Sequence, residues 1–276
     1  MKRYLLCTDL DRTLIPNGAQ PLSAQAQRRF AQLVAREDVT LAYVSGRHRA
    51  LIEQAIVEFD LPRPDYAVAD VGSTIYQVGA GGWRQWMEWG AQIAPDWDGL
   101  SHAQMHQLLR EHQALRLQED EKQGRHKLSY YVPLEVDAHD LILALQLNLK
   151  KAGIKANLIW SIDEEAHVGL LDVLPISANK LHAIRFLMRG AGYTLSETMF
   201  AGDSGNDLDV LLSEVHSVLV ANADPEVKAR AAHASKDTLY IARGNYLDMN
   251  GNYSAGILEG AAHYWPEMNI WLREIN

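Results

Sequence analysis

The sequence predicts an α/β protein in which a parallel sheet is interrupted by an inserted α+β segment. Short apolar runs alternate with amphipathic helical patterns at both ends of the chain, which is typical of a parallel sheet covered by helices on both faces. This alternation of strands and helices stops between about Gly82 and Pro175, where the predicted helices and strands indicate a smaller α+β unit. The chain has 276 residues, which is enough for one large domain or two modest ones.

The first part of the chain has a strand–helix–strand–helix–strand order. The predicted strands are Tyr4–Thr8, Thr40–Val44 and Tyr66–Ala69, and the predicted helices are Ser23–Ala35 and Leu51–Phe59. Ser23 is the expected N-cap of the first helix, because a serine side chain can accept a hydrogen bond from the first turn. Pro62 and Pro64 are expected to end the second helix.

The middle of the chain begins with a glycine-rich segment, Val78–Gly82, followed by four tryptophans at Trp83, Trp86, Trp89 and Trp97. These rings suit either stacking on sugar rings or packing in a small core or domain junction. The predicted helices here are Ser101–Glu119 and Asp137–Ala152, and the predicted strands are Lys127–Val132, Leu158–Ile162 and Val168–Leu174. We therefore predict two units, with residues 1–81 and 176–276 forming a discontinuous core and residues 82–175 forming the insertion.

The α/β order returns after Pro175. The predicted strands are Thr198–Ala201, Ser217–Val220 and Leu239–Ile241, and the predicted helices are Asn179–Arg189, Asp207–Leu212, Pro225–Ala234 and Tyr253–Tyr264. These strands are expected to extend the sheet begun by the first part of the chain.

The composition argues against several classes of function. The net charge is −9, from 26 basic and 35 acidic residues, and no basic cluster suits binding to nucleic acid. No apolar run approaches the roughly 20 residues of a membrane span, and the start of the chain does not suit a signal peptide. The single cysteine, Cys7, lies in an apolar run and cannot form an internal disulfide, which suits a structural thiol in the reducing cytoplasm.

Asp9 and Asp11 directly follow the first predicted strand. Residues two apart in a strand share a side, and ligands of parallel sheets bind at the carboxyl ends of the strands. Two close carboxylates repel each other unless a cation or a proton is shared, and Mg²⁺ favours carboxylate and phosphate oxygens. The alternative is a plain acidic turn.

A second acidic segment, Gly202–Asp207, follows the strand Thr198–Ala201. Asp203 and Asp207 can complete a metal site there, while the glycines allow the backbone to come close. The alternative is an Asx-rich turn that caps a helix.

Two further segments suit the binding of phosphate. Ser45, Gly46 and Arg47 follow the second strand and offer a hydroxyl, a backbone N–H and a guanidinium near a helix start. Lys180 lies at the start of another predicted helix and can neutralise a phosphate. The alternatives are a simple serine cap and a solvated surface lysine.

In this order the four segments resemble the motifs of the haloacid dehalogenase superfamily. Those motifs are a DxDxT strand, a Ser/Thr, a Lys and a GDxxND loop, which stand here as Asp9/Asp11/Thr13, Ser45, Lys180 and Gly202–Asp207. The resemblance implies a Rossmann-like core and makes the insertion an α+β cap of the Cof-like branch. Within that branch the chain is most similar to the sucrose-phosphate and mannosylfructose-phosphate phosphatases. Supporting segments are Ser45–Arg47, Val71–Ser73, His126–Tyr130, Leu171–Pro175 and Gly256–Gly260.

The resemblance also implies a mechanism and a set of residue roles. Asp9 would be the nucleophile that forms an aspartyl-phosphate, and Asp11 the general acid and base. The expected metal is Mg²⁺, with Asp9, Asp11, Asp203 and Asp207 as the metal-site residues. The expected phosphate-binding residues are Thr13, Ser45, Gly46, Lys180 and Asn206, and the expected substrate-binding residues are Arg47, Lys127 and Ser129.

Lys127 and Ser129 lie two apart on a predicted strand and so share a face, which is either turned toward the sugar or simply exposed. The expected function is hydrolysis of a sugar phosphate, such as a sucrose or mannosylfructose phosphate. The alternatives are a phosphomutase and a non-catalytic sugar-phosphate-binding regulator. The expected partners are a small-molecule sugar phosphate and an upstream sugar-phosphate synthase, without nucleic acid or membrane, and the expected state is a cytoplasmic monomer or weak dimer.

Overall fold

The computed structural model describes residues 3–164, 166–232 and 234–275. In these ranges the strands are β1 (Tyr4–Thr8), β2 (Val39–Val44), β3 (Tyr66–Ala69), β4 (Thr74–Gly79), β5 (Gly82–Gln85), β6 (Arg116–Leu117), β7 (Leu128–Val132), β8 (Ala156–Asp163), β9 (Val168–Pro175), β10 (Thr198–Gly202), β11 (His216–Leu219) and β12 (Leu239–Ile241). The helices are α1 (Ala26–Val34), α2 (Arg49–Glu58), α3 (Met87–Ile93), α4 (His102–Leu109), α5 (Ala138–Lys151), α6 (Lys180–Ala191), α7 (Leu208–Leu211), α8 (Pro225–Ala231), α9 (Ser254–Tyr264) and α10 (Pro266–Glu274).

Eight strands form one large sheet in the order β12-β11-β10-β1-β2-β3-β4-β5. The pairs from β12 to β3 are parallel, whereas β4 and β5 add an antiparallel hairpin at one edge. Parallel strands need crossover connections, and helices supply them here. The α/β fold class predicted from the sequence is therefore confirmed.

The two faces of the large sheet carry separate hydrophobic clusters because strand side chains alternate in direction. In β1, Leu6 packs with α1, α2, α9 and α10 on one face, and Leu5 and Cys7 pack with α3, α6, α7 and α8 on the other. Burial raises the pKa of the Cys7 thiol, as suits a structural side chain. Because β1 is a central strand buried on both faces, its sequence is a continuous apolar run.

The remaining four strands form a second, antiparallel sheet in the order β6-β7-β9-β8. A third hydrophobic cluster lies between this sheet and helices α4 and α5, with Trp97 and Tyr130 as large buried members. The second sheet lies wholly within residues 82–175, whereas β5, at the start of that segment, pairs with the large sheet. The predicted division into domains stays a prediction.

Several local predictions need correction. The helix predicted from Ser101 to Glu119 ends at Leu109, because Arg116–Leu117 pairs with β7 as a short strand instead. Ser23 does not cap α1; its hydroxyl accepts a hydrogen bond from the Asn250 backbone N–H at 3.0 Å. The β4–β5 hairpin, whose turn lies within the glycine-rich segment, and helix α10 were not predicted from the sequence.

The tryptophans of the middle segment mainly pack inside the protein. Trp89 and Trp97 are fully buried, and the Trp89 indole N–H donates a hydrogen bond to the Gly72 carbonyl at 2.9 Å. Trp86 stacks on Tyr66 and meets Phe186 edge to face. The packing interpretation holds for these three rings. None of the helices in the described residues is long and apolar enough to cross a membrane.

We expect Gly72→Ala to destabilise the protein much more than Gly192→Ala. Both glycines have positive φ, 98° and 75°, so alanine costs about 1–2 kcal/mol at either position. A Cβ on Gly72 would also overlap the Asn179 backbone carbonyl carbon, whereas one on Gly192 meets only Arg3 at 3.7 Å. Thermal unfolding followed by circular dichroism should show at least about twice the loss of melting temperature for Gly72→Ala. Equal losses would contradict this close approach.

Candidate active site

The acidic segments meet at the carboxyl edge of the large sheet. β1 and β10 are neighbouring parallel strands, so the residues that follow them lie side by side. The Asp9 backbone N–H donates to the Ala201 carbonyl at 2.9 Å, which fixes the end of β1 against β10. Asp9 and Asp203 are brought together in this way, although 194 positions separate them in the chain.

Three buried carboxylates, those of Asp9, Asp203 and Asp207, converge so that one oxygen of each lies within 4.8 Å of the others. The ammonium of Lys180 lies among them, 2.7 Å from Asp207 Oδ1 and 3.1 Å from Asp9 Oδ1. Its Nζ also donates to Asn206 Oδ1 at 3.0 Å. Lys180 is only 2% exposed, which excludes the interpretation of a solvated surface lysine.

The cluster holds more negative than positive charge. Burial would lower the pKa of Lys180, but the charges of Asp207 and Asp9 outweigh it and raise that pKa, so the lysine stays charged. Burial raises the pKa of Asp9, with Asp207 and Asp203 adding to the effect and Lys180 opposing it. Burial and the neighbouring Asp207 raise the pKa of Asp203 to about 6. One ammonium therefore does not balance the three carboxylates.

The carboxylate of Asp203 has one oxygen available for a ligand. The Thr13 hydroxyl donates to Oδ1 at 2.9 Å, whereas buried Oδ2 has no hydrogen-bond partner among the described residues and lies 3.7 Å from Arg12 Nε. An unsatisfied buried carboxylate oxygen beside two further carboxylates fits a hard divalent cation, which takes oxygen ligands. The residues present therefore fit a metal ion.

Asp207 braces the loop that carries Asp203. Its Oδ2 accepts hydrogen bonds from the backbone N–H groups of Asp203 and Ser204, both at 3.1 Å, while its Oδ1 faces Lys180. Both oxygens are thus engaged, and Asp207 orients the neighbouring carboxylate and the lysine. The turn and capping interpretation of Gly202–Asp207 is correct locally, and the carboxylate cluster is built on that turn.

The segment Ser45–Arg47 reaches the same edge of the sheet from the end of β2. Ser45 is buried, its hydroxyl accepts a hydrogen bond from the Arg47 backbone N–H at 3.2 Å, and its own N–H donates to Val68. The N-cap of α2 is His48, so Ser45 is not a helix cap. Together with the carboxylates, this segment borders a cavity of about 420 Å³ lined by Asp9, Asp11, Arg12, Gly46, Arg47, Leu51, Asp203, Ser204 and Asn206.

Asp11 faces the cavity but is held by neighbours. Arg47 binds its carboxylate with two nitrogens, at 2.8 and 2.6 Å, and the Asn17 amide donates to Oδ1 at 2.8 Å. Burial alone would raise the pKa of Asp11, but the hydrogen bonds and charge of Arg47, helped by Asn17, lower it. The carboxylate is therefore ionised and oriented in this structure.

Ser129 lies on the face of β7 opposite the helices of the second sheet, and Lys127, predicted as the first residue of this strand, directly precedes it; both side chains are buried. Ser129 donates to Asp172 Oδ1 at 2.6 Å, and Lys127 Nζ lies 3.5 Å from the same oxygen. This arrangement excludes an exposed strand face. Asp172 was not singled out from the sequence, because only the register that places it opposite Ser129 reveals it.

Other residues of the site were also missed. Arg12 approaches Asp203, and its carbonyl accepts a hydrogen bond from the Asn222 side chain at 2.6 Å. Asn17 supports both Asp11 and the Arg12 backbone. No local pattern marks these residues, because each contact depends on how separate loops fold over the sheet edge.

The chain resembles known proteins along nearly its whole length. The family profile of Sucrose-6F-phosphate phosphohydrolase matches residues 2–265. A protein of Nitrosococcus oceani named as a HAD-like hydrolase is 52% identical over 98% of this chain and 74% of its own length. The mannosylfructose-phosphate phosphatase of Agrobacterium fabrum is 26% identical over 94% of this chain and 96% of its own.

A solved structure supports the same relationship. The sucrose-phosphatase of Synechocystis sp. PCC6803, crystallised with sucrose and phosphate, has a TM-score of 0.73 and 27% identity, and the match covers 96% of this chain and 98% of that one. The resemblance predicted from the four motifs is confirmed. The chain belongs to the Sucrose-6F-phosphate phosphohydrolase family within the haloacid dehalogenase superfamily.

Proposed function

We propose that this protein is a phosphoric monoester hydrolase that removes phosphate from a sugar phosphate through an aspartyl-phosphate on Asp9. The observation that carries the proposal is the buried contact between Lys180 and Asp9 at the carboxyl edge of the sheet, beside Asp203. A nucleophilic carboxylate needs a fixed position and positive charge for the phosphoryl oxygens. Both are supplied by residues that the sequence separates widely.

In the first step an Asp9 oxygen bonds to phosphorus while the bond from phosphorus to the sugar oxygen breaks. Asp11 gives its proton to that leaving oxygen. In this structure Asp11 is bound by Arg47. The bound substrate competes for Arg47 and loosens this pair, so that Asp11 takes a proton from the solvent and turns toward the sugar oxygen.

In the second step Asp11, now ionised, takes a proton from water, and the water oxygen attacks phosphorus. The bond to Asp9 breaks, which releases inorganic phosphate and restores the carboxylate. The same residue serves as acid and then as base because its charge changes between the two steps.

The fit of the cluster to a cation suits Mg²⁺, held by the Asp9 carboxylate, the Asp11 carbonyl and Asp203, with Asp207 fixing their arrangement. Mg²⁺ supplies positive charge that offsets carboxylate repulsion and the charge on the phosphoryl oxygens. Ser45, Gly46, Lys180 and Asn206 are the proposed phosphate ligands. The Thr13 hydroxyl donates a hydrogen bond to Asp203 and so helps to position the proposed metal site. Direct binding of phosphate by Thr13 stays a prediction.

The sugar is proposed to lie between Arg47 on the core side and the buried pair of Lys127 and Ser129 on the second sheet. The relatives named for sucrose and mannosylfructose phosphates favour a disaccharide phosphate as the substrate. An upstream sugar-phosphate synthase as partner, a cytoplasmic location and a monomeric or weakly dimeric state belong to the same proposal.

The direct test is release of inorganic phosphate from a panel of sugar phosphates with Mg²⁺, including sucrose 6-phosphate and mannosylfructose phosphate. Steady release is expected from at least one disaccharide phosphate. A phosphomutase would yield an isomeric sugar phosphate without net release, and a regulator would bind without turnover. Either result would overturn the proposed hydrolysis.

We expect Asp9→Asn to lose nearly all turnover, because the amide lacks the attacking charge. Rapid acid quench of the wild type should trap phosphorylated protein, and the variant should show none. Asp98→Asn, at an exposed carboxylate outside the cavity, is the matched control and should keep wild-type turnover. Retention of more than about a hundredth of the rate by Asp9→Asn would refute a covalent role for Asp9.

Asp11→Asn should reduce phosphoryl transfer from a sugar phosphate by at least about tenfold more than transfer from para-nitrophenyl phosphate. A sugar oxygen needs a proton to leave, whereas nitrophenolate leaves without one. Single-turnover kinetics of the phosphorylation step separate this effect from the later attack of water. Equal losses on the two substrates would argue against a general acid at this position.

We expect Mg²⁺ to raise the melting temperature of the wild type, because a ligand that binds only the folded state stabilises it. At a hundred times its dissociation constant the gain is about 2.7 kcal/mol, or roughly 5 °C or more for a chain of this size. Asp203→Asn should lose most of this shift and Asp98→Asn should keep it, measured with EDTA as the metal-free reference. The same shift in both variants would contradict a cation at Asp203.

A further inference from the structure

The turn between β3 and β4 has an unusual backbone. Asp70, Val71 and Gly72 follow one another with φ values of 54°, 58° and 98°. Left-handed backbone is unfavourable for a non-glycine residue, and it is rare for a β-branched side chain. Such strain persists where the surroundings enforce it, and it concentrates at functional sites.

The surroundings of this turn are the phosphate-side loops themselves. The Asp70 backbone N–H donates to the Arg47 carbonyl at 3.0 Å, and the Val71 N–H donates to the Ser45 carbonyl at 3.2 Å. On the other side Gly72 packs directly on the backbone of Asn179, the residue before Lys180. The strained turn is thus clamped between two loops of the proposed active site.

These backbone contacts direct the Asp70 carboxyl toward a second cavity. Asp70 is 6% exposed, and its Oδ1 is buried without a hydrogen-bond partner among the described residues. The cavity has a volume of about 270 Å³ and lies between the core side, with His48 and Tyr76, and Glu121 and Gln123 of the inserted segment. An unsatisfied buried oxygen is unfavourable, and a hydroxyl donor from a ligand would remove this cost.

This second cavity adjoins the cavity of the carboxylate cluster. Gly46, Arg47 and Leu51 line the catalytic cavity, and the intervening residues 48–50 line the second one. A molecule whose phosphate lies at Ser45 and Lys180 can therefore extend past the start of α2 toward Asp70. The second cavity is where the part of the substrate beyond the phosphate would lie.

The charges of the second cavity define what it accepts. Asp70, Glu53 and Glu121 line it with carboxylates, against one lining guanidinium, Arg49, which Glu53 already pairs at 3.0 Å. Burial raises the pKa of Asp70, and the nearby ammonium of Lys127 opposes this rise and favours the ionised carboxylate. Burial lowers the pKa of His48, which favours the neutral ring. Carboxylates accept hydrogen bonds from hydroxyls and repel a second phosphate.

We propose that Asp70 is a specificity-determining residue that accepts hydroxyl hydrogen bonds from a neutral, polyhydroxylated moiety and rejects substrates with a second phosphate. This inference rests on the proposed function, because it assigns the substrate class of the same site. Asp70 would then contact the sugar from the large sheet, whereas Lys127 and Ser129 are expected to contact it from the inserted segment.

The test is steady-state kinetics of Asp70→Asn with three substrates: sucrose 6-phosphate, fructose 1,6-bisphosphate and para-nitrophenyl phosphate. Asparagine tolerates the left-handed backbone, so the substitution removes charge and leaves the turn intact. For sucrose 6-phosphate we expect KM to rise about tenfold with a smaller change in kcat, because hydrogen bonds to charged groups are the stronger ones. The preference for the monophosphate over the bisphosphate, as a ratio of kcat/KM values, should fall by about tenfold or more.

Two further variants keep the result interpretable. Glu121→Gln removes charge from the opposite wall and lies outside the strained turn, so it should also weaken the rejection of the bisphosphate. Asp98→Asn repeats the aspartate-to-asparagine change at an exposed left-handed residue and should change neither ratio.

If Asp70→Asn lowers kcat/KM equally on all three substrates, the role of the turn is purely structural. If the preference for the monophosphate over the bisphosphate is unchanged in both Asp70→Asn and Glu121→Gln, the cavity plays no part in recognition. Either result overturns the inference while leaving sugar-phosphate hydrolysis intact. A wild-type enzyme that cleaves the aryl phosphate but no sugar phosphate would instead overturn the proposed function, and this inference with it.

Discussion

The buried ammonium of Lys180 is the charge on which the carboxylate cluster depends. It lies within 3.1 Å of both Asp9 and Asp207, in a place where water cannot screen the repulsion between acids. Removing it would leave buried carboxylates uncompensated, a change that costs several kcal/mol in buried ion pairs. The lysine can occupy this position because Asn179 caps the start of α6 and Gly72 lets the neighbouring turn approach that cap closely. The electrostatics of the site therefore rest on one close packing of backbone against backbone.

The parallel sheet sets the rest of the geometry. Since β1, β2 and β10 are neighbours with the same direction, the segments that leave them arrive at one edge with a candidate nucleophile, a candidate anion-binding turn and an acidic loop. The strands also reach the edge fully buried, so the carboxylates gain a low-dielectric setting in which each charge counts more than at the surface. The same burial explains why one lysine is insufficient and why the cluster suits a further cation.

The sequence was most informative where chemistry depends on residue type at a strand end. Asp9, Ser45, Lys180 and Asp203 each follow an apolar run or begin a helix. The structure brings Asp9, Lys180 and Asp203 together within one cluster, and Gly46 and Arg47, which follow Ser45, line the adjoining cavity. The sequence was least informative where a side chain acts through a distant partner. Arg12 and Asn17 carry no local pattern, the contact of Asp172 with Ser129 depends on strand register, and the strained conformation of Asp70 arises from loops that meet only in three dimensions. The overlong helix from Ser101 failed for a related reason, because pairing with β7 overrode local propensity.

Catalysis and recognition place different demands on the two parts of the chain. The carboxylates around Lys180 are buried and held by ion pairs and hydrogen bonds, while Asp203 Oδ2 has no hydrogen-bond partner among the described residues; fixed charges of this kind suit the proposed reaction. The cavity beside Asp70 is lined by α2, the turn at Asp70 and β4 on one side and by Glu121 and Gln123 on the other, so its shape depends on how these two sides approach each other. The turn at residues 70–72 joins these two regions. Its backbone N–H groups donate to the carbonyls of Ser45 and Arg47, while the Asp70 side chain lines the second cavity. A substrate moiety that engages Asp70 would thereby be coupled, through two backbone hydrogen bonds, to the loop proposed to bind phosphate. Recognition of the sugar can then influence the position of the reacting group without any movement of the sheet.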